Sequence, residues 1–348
     1  HRVRRAARRK GKIPVTMRFA VLGAGRIGQV HSDALAAVKG ARLAAIADPV
    51  ADAAEAVRDR HGCDIRSIDE IAASDDVDAV LICTPTDTHA DLIEQFARAG
   101  KAIFCEKPVD LEIERVRACL KVVEETGAFL MIGFQRRFEP DFNVLKAAID
   151  EGRIGKVEMI ALTSRDPSPP PISYIERSGG IFRDMTIHDF DVARWLLGEE
   201  VETVMAAASN LVDPAIGAAG DFDSVSVLMT TAGGKHCAIS CSRRATYGYD
   251  QRIEVHGEKG AVSAVNHSEA RVVYAGPEGY TVPPNQHFFI TRYMDAYRRE
   301  IEAFVAAVAE GAPPPVGGED GLRALALALA AMKSVAEGRA VKVAEVLA

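Results

Sequence analysis

Gly23-Ala24-Gly25-Arg26-Ile27-Gly28 stands between a short apolar run at 18–22 and an amphipathic pattern at 27–39. A G-x-G-x-x-G hexapeptide alone is a weak signal, but here it follows a predicted strand and opens a predicted helix. An acid, Asp48, then ends the next apolar run, 25 residues past Gly23. This pattern predicts a dinucleotide fold. The first glycine permits the tight turn, the second lets backbone approach a pyrophosphate, and the third lets helix pack on strand. Free N–H groups at the helix start favour the anion. Asp48 at the strand end is placed to accept hydrogen bonds from a ribose and to repel a 2′-phosphate, which favours NAD over NADP. The competing readings are a glycine turn without ligand and, because Pro49 follows, Asp48 as a helix cap.

The rest of the first half agrees with that frame. Apolar runs at 42–47, 79–83, 102–105 and 128–132 alternate with helical patterns at 51–61, 88–99 and 111–126. Such alternation predicts a doubly wound parallel sheet with its ligand beyond the carboxyl ends of the strands. After 134 the pattern changes. A helix at 140–151, a strand at 157–164, a proline-rich loop at 166–171 and one long helix at 181–197 precede a series of extended segments. These lie at 201–208, 224–230, 236–242, 251–256 and 271–274, with helices at 293–310 and 320–337 to close. The expectation is an α/β chain: a Rossmann domain at 17–135, then an α+β substrate and oligomerisation domain at 136–348 with a large, mostly antiparallel open sheet. Residues 1–16 carry seven of the Lys and Arg residues and no acid, and are expected to be a disordered or non-native extension before Met17.

Composition removes several classes of function. The chain has 348 residues, 48% of them hydrophobic, and a net charge of −7 although its first segment is basic. No basic patch for nucleic acid is evident in the body, and no apolar stretch is long enough to span a membrane. Six cysteines without a C-x-x-C pair favour reduced thiols and a cytoplasmic location.

Two further segments carry chemistry. Glu106-Lys107-Pro108 follows an apolar strand, so Lys107 is expected at the sheet edge near a nicotinamide, where an ammonium can hold a hydroxyl and favour its alkoxide. A plain surface turn is the alternative. In the expected helix at 181–197, Asp184, His188 and Asp191 recur at helical spacing and form one narrow stripe bounded by apolar residues. A histidine beside carboxylates suits acceptance of a hydroxyl proton. The stripe is also open to reading as a metal site, though zinc usually takes more His or Cys, or as a structural histidine. No metal is expected. His89, in Thr84-Pro85-Thr86-Asp87-Thr88-His89, is equally open to a cofactor contact or a helix start.

Taken in order, the glycine loop, Cys83 to His89, Glu106-Lys107-Pro108 and Asp184-x-x-x-His188 resemble the glucose–fructose oxidoreductase/inositol dehydrogenase (Gfo/Idh/MocA) family from Met17 onward. The stretch from Ser164 to Asp191 is most similar to inositol 2-dehydrogenases. The resemblance implies an NAD-dependent oxidation of a myo-inositol ring hydroxyl, with Lys107, Asp184 and His188 as the catalytic set and His188 as proton acceptor. It implies cofactor contacts from Gly23 to Gly28 and from Asp48, Thr84, His89, Glu106 and Lys107. It also implies substrate contacts from Arg137, Asp166, Asp191 and Tyr249 beside the catalytic set, and a homotetramer formed through the C-terminal sheet. Two carboxylates favour a neutral polyol over an anionic substrate. The alternatives are a dehydrogenase of another inositol or sugar, and a non-catalytic dinucleotide sensor.

Overall fold

The computed structural model describes residues 16–348, so the expectation for the basic extension lies almost wholly outside the described residues. The first sheet holds β1 (Met17–Leu22), β2 (Ala41–Ala47), β3 (Asp64–Ile65), β4 (Ala79–Ile82), β5 (Ala102–Glu106) and β6 (Leu130–Gly133). Their order is β3-β2-β1-β4-β5-β6, and every pair is parallel. The helices of this half are α1 (Arg26–Ala36), α2 (Ala51–His61), α3 (Ile68–Ala73), α4 (His89–Arg98) and α5 (Ile113–Thr126). Helices on both faces explain why β1, β4, β5 and β6 read as continuous apolar runs. The strand order reverses between β1 and β4, and the crevice opens there, beyond Leu22 and Ile82.

The second half contains α6 (Pro140–Asp150), β7 (Val157–Arg165), α7 (Ile172–Ser178), α8 (Gly180–Asp184), α9 (Ile187–Leu197), β8 (Val201–Ser209) and α10 (Pro214–Ala218). It continues with β9 (Ser224–Thr231), β10 (His236–Ser242), β11 (Asp250–Gly257), β12 (Gly260–Ala264) and a hairpin, β13 (Tyr274–Gly276) with β14 (Gly279–Thr281). The chain ends with α11 (Phe289–Glu310), α12 (Gly318–Glu337), β15 (Val341–Lys342) and α13 (Ala344–Leu347). Seven strands form the second sheet in the order β12-β11-β7-β10-β9-β8-β15, antiparallel except between β7 and β10. Residues alternate between its faces, as strand geometry requires. Val225, Val227 and Met229 turn inward with Cys237, Ile239 and Cys241, whereas Met159, Met205 and Leu228 are exposed on the other side.

Two features depart from the sequence expectation. The helix expected at 181–197 is broken: α8 ends at Asp184, Met185 and Thr186 both turn back onto the Ile181 carbonyl, and α9 starts afresh at Ile187. The two halves are also less separate than a boundary near residue 135 suggests. Phe304 of α11 packs its ring on Phe19, Phe104 and Phe129, and the Ile132 N–H of β6 donates to Val316 just before α12. The last two long helices thus pack against elements of both halves.

Candidate active site

Backbone geometry explains the glycine loop. Gly23 sits at φ +96°, where a Cβ would lie 2.6 Å from the Cys83 carbonyl oxygen, and a Cβ on Gly28 would lie 1.9 Å from that of Gly23. Gly25, by contrast, faces open space and precedes α1 without a side-chain cap, so the N–H groups of Arg26 and Ile27 remain available to an anion. Asp48 reaches across to accept the Ala24 N–H at 2.6 Å and the Val50 N–H at 2.8 Å. Val50, not Asp48, caps α2. Each Asp48 oxygen retains a lone pair for a ribose hydroxyl. Arg26 is exposed at the loop tip, 6.0 Å from the Phe288 ring. These residues fit a dinucleotide.

The next strand ends build the far lip of the crevice. The Thr84 and Thr88 hydroxyls pair at 2.6 Å. His89 starts α4, fully buried, with Nδ1 2.7 Å from the Pro108 carbonyl and Nε2 2.9 Å from that of Thr84. It ties the two loops together from behind. Glu106 also points inward: one oxygen lies 2.6 Å from the buried His31 Nε2, and the other is 3.3 Å from the Lys107 N–H. Of the two readings left open for His89, its side chain serves the helix start, and the Glu106 carboxylate is likewise turned inward. Both bear on the wall behind the turn, because strand alternation turns Glu106 to the inner face and Lys107 outward.

Lys107 faces the second half. Its ammonium donates to the backbone carbonyl of Asp184 at 2.8 Å and to the Asp184 Oδ1 at 3.3 Å. The break after Asp184 makes the first contact available, since the last carbonyls of a helix lack intrahelical partners and attract a cation. Tyr174 of α7 donates to the same Oδ1 at 2.9 Å. Asp221 receives the Ile181 N–H at the start of α8 and the Arg243 guanidinium, anchoring this short helix from below. His188 lies in the first turn of α9 with its ring edge-on to Phe134, and its Nδ1 is buried without a partner. Burial first, then the nearby Lys107 and Arg136 cations, hold the His188 imidazole well below its ordinary range, so it is neutral.

The residues expected around a substrate divide into two groups. Asp166 is half-buried near Asp184, and burial pushes its carboxyl up to about 6 against the pull of Arg243 and Arg136. Tyr249 is buried edge-on to Tyr293 at 6.0 Å, and its phenol is raised mainly by burial. Asp191 behaves differently. Its side chain is 0% exposed, and both oxygens accept from Arg137, at 2.8 and 2.6 Å. Arg137 also bonds Asp320 of α12 at 2.9 Å. The single stripe of Asp184, His188 and Asp191 is thus corrected: the break between α8 and α9 takes Asp184 out of phase, while His188 and Asp191 keep their i, i+3 spacing on α9 and Arg137 holds both Asp191 oxygens. The three do not bring metal-binding atoms together; among the described residues, the groups that do are His31, Glu106 and Glu300, and Glu139, Asp141 and His267.

Sequence reasoning missed Tyr174, Asp221 and the buried Arg136–Asp189 pair at 2.6 Å. Adjacent Arg136-Arg137 against Asp189-x-Asp191 was the signal for the last, two neighbouring cations answered by two acids on one helix. Nothing in spacing pointed to Tyr174.

Comparison with known proteins places this geometry. Two family models match: an oxidoreductase family NAD-binding Rossmann fold over residues 17–134, and an oxidoreductase family C-terminal alpha/beta domain over 146–343. An inositol 2-dehydrogenase of Rhizobium meliloti (strain 1021) is 63% identical over 330 residues, covering 95% of this chain and 100% of that protein. A solved structure from Sinorhizobium meliloti 1021 superposes with TM-score 0.93 at 63% identity, over 94% of this chain and 100% of that one. The scyllo-inositol dehydrogenase of Lactobacillus casei, solved with NAD(H) and scyllo-inositol, superposes with TM-score 0.88 at 29% identity, over 94% of this chain and 99% of that one. The chain belongs to the Gfo/Idh/MocA oxidoreductase family, with its NAD-binding Rossmann fold and its C-terminal alpha/beta domain.

Proposed function

We propose that this protein oxidises a ring hydroxyl of myo-inositol, or of a close cyclic polyol, to the ketone with NAD⁺. The observation that carries the reading is the Lys107 ammonium seated on Asp184 with a neutral His188 one turn beyond. NAD⁺, when bound, supplies the acceptor for the hydride that leaves the substrate carbon. The α1 N-terminus and the glycine loop hold the pyrophosphate, and Asp48 holds the ribose. Thr84, on the opposite lip of the same crevice, is placed to contact the cofactor.

The rest of the chemistry belongs to this chain's side chains. Two of the three Lys107 ammonium protons are committed to Asp184, and the third is free to hold the reacting hydroxyl. Tyr174 and Lys107 together fix the Asp184 carboxylate. The neutral His188 takes the hydroxyl proton as the C–H bond breaks, and Lys107 stabilises the alkoxide character that develops on oxygen. Asp166 and Tyr249 offer an acceptor and a donor to the other ring hydroxyls, whereas Arg137 and Asp191 brace that wall. A sensor needs only the dinucleotide loop; the Lys107–Asp184–His188 arrangement favours catalysis. A panel of myo-, scyllo- and chiro-inositol and glucose with NAD⁺ and NADP⁺ tests the reading. The expected result is NADH from an inositol, and no reduction with any member of the panel refutes it.

We further place the division of labour at 17–135 for cofactor and 136–348 for substrate and assembly. The outer face of the second sheet, where Met159, Met205 and Leu228 are exposed among polar residues, supports a homotetramer through that face. Sedimentation velocity checks this, and a monomer at micromolar concentration contradicts it. Six buried, unpaired cysteines are in keeping with a cytoplasmic enzyme.

A further inference from the structure

Behind the Lys107 turn lies a cluster that the mechanism above does not use. Glu300, on α11, is 0% exposed, and neither carboxylate oxygen has a hydrogen-bond partner. Ligand atoms of His31, Glu106 and Glu300 lie within 4.8 Å of one another. His31 stands edge-on to Phe104 and to Tyr297, and its Nε2 is 2.6 Å from Glu106. The titratable groups facing Glu300 are Glu106 from β5, His31 from α1, Cys83 beyond β4 and Tyr297 from its own helix. Glu300 makes no ion pair with an arginine or lysine among the described residues. Two carboxylates this close, in apolar surroundings and with neither paired to an arginine or lysine among the described residues, disfavour joint ionisation, and the His31 ring beside Glu106 supports one negative charge there. His31 and the Lys107 N–H already donate to Glu106, so Glu106 holds the negative charge and the proton resides on Glu300.

We propose that Glu300 is a positioning residue for the Lys107 turn: it stays protonated and donates its O–H to the Glu106 carboxylate, tying the end of β5 to α11. The link reaches from the C-terminal half into the residue preceding the ammonium. It leaves Glu106 with donors from three elements, so the turn carrying Lys107 is braced on α1 and α11 as well as on His89. This rests on Lys107 holding the substrate hydroxyl, but the proton itself is testable without turnover.

The first test is the infrared spectrum of the purified protein at neutral pH. A protonated carboxylic acid band is expected in the wild type and in Lys107→Met, and its loss is expected in Glu300→Gln. Its absence from the wild type overturns the proposal, as does a stoichiometric divalent metal, which would make Glu300 an ionised ligand. The second test is kinetic. Glu300→Leu keeps the bulk but removes the donor, so kcat is expected to fall about tenfold while the KM for NAD⁺ holds. Glu300→Gln, whose amide N–H can donate in place of the acid, is expected to restore kcat and to extend activity to higher pH. Equal damage in the two variants, or undiminished kcat in a folded Glu300→Leu, overturns it. Should Glu300→Leu fail to fold, the Gln variant's infrared and pH profiles decide alone. If the wild type reduced no NAD⁺ yet showed the band, the dehydrogenase reading would fail and the shared proton would stand.

Discussion

Replacing Lys107 by Met keeps most of the side chain's length and removes its charge. In the structure this deletes the donors to the Asp184 carbonyl and Oδ1, at 2.8 and 3.3 Å, and the third proton assigned to the substrate oxygen. Removing one preorganised charged donor from a developing oxyanion costs about 3–4 kcal/mol, and about 1.4 kcal/mol is a factor of ten in rate. A fall in kcat of roughly 10²–10³ is therefore expected. Asp184 stays tethered by Tyr174, and the glycine loop lies outside the change, so NAD⁺ affinity is expected to hold. The assay pairs steady-state NADH formation with calorimetric titration of NAD⁺ into the variant. A kcat within a few-fold of wild type would refute the assignment of the ammonium. A parallel collapse of NAD⁺ binding would instead show that the turn serves the cofactor.

Four other outcomes follow from the same geometry. Asp166 is half-buried with its carboxyl pushed up to about 6, so a limb of the kcat/KM profile near that pH is expected to vanish in Asp166→Asn, whereas His188, held low, leaves no limb there. The same shift lowers stability as pH rises from about 4 to 6, because the unfolded state releases this proton first; Asp166→Asn is expected to raise Tm at neutral pH, and an unchanged Tm contradicts it. Arg137→Met strands the fully buried Asp191, a loss of about 3–5 kcal/mol visible in chemical denaturation, and a change under about 1 kcal/mol contradicts the pair's role. Asp48→Ala is expected to raise the KM for NAD⁺ and lower that for NADP⁺, and an unaltered ratio means that this carboxylate does not touch the ribose.

Much of this arrangement was legible because it is carried by local pattern. The glycine loop announces itself through neighbours that force glycine at Gly23 and Gly28, and the continuous apolar runs announce parallel strands. The short strand β3 and the edge strand β15 span two residues each, too few for any periodicity to register. The break at Met185-Thr186 was not legible either. Helical phase runs unbroken through both residues, and what isolates α8 is tertiary: Gly179 and Gly180 at positive φ and Asp221 set its start, and the Lys107 ammonium caps the Asp184 carbonyl at its end. The same limit explains Asp191 and Glu106. Composition flags an acid but not which face it takes, and both found buried partners, Arg137 and His31, from distant segments.

The most direct test of hydride loss from a polyol ring is to follow its hydrogen. Incubating the enzyme with NAD⁺ and myo-inositol deuterated at every ring carbon, then examining the reduced cofactor by NMR, is expected to show deuterium at the nicotinamide C4 and a slowed turnover. Reduced cofactor without the label, or none at all, would contradict hydride loss from the polyol ring.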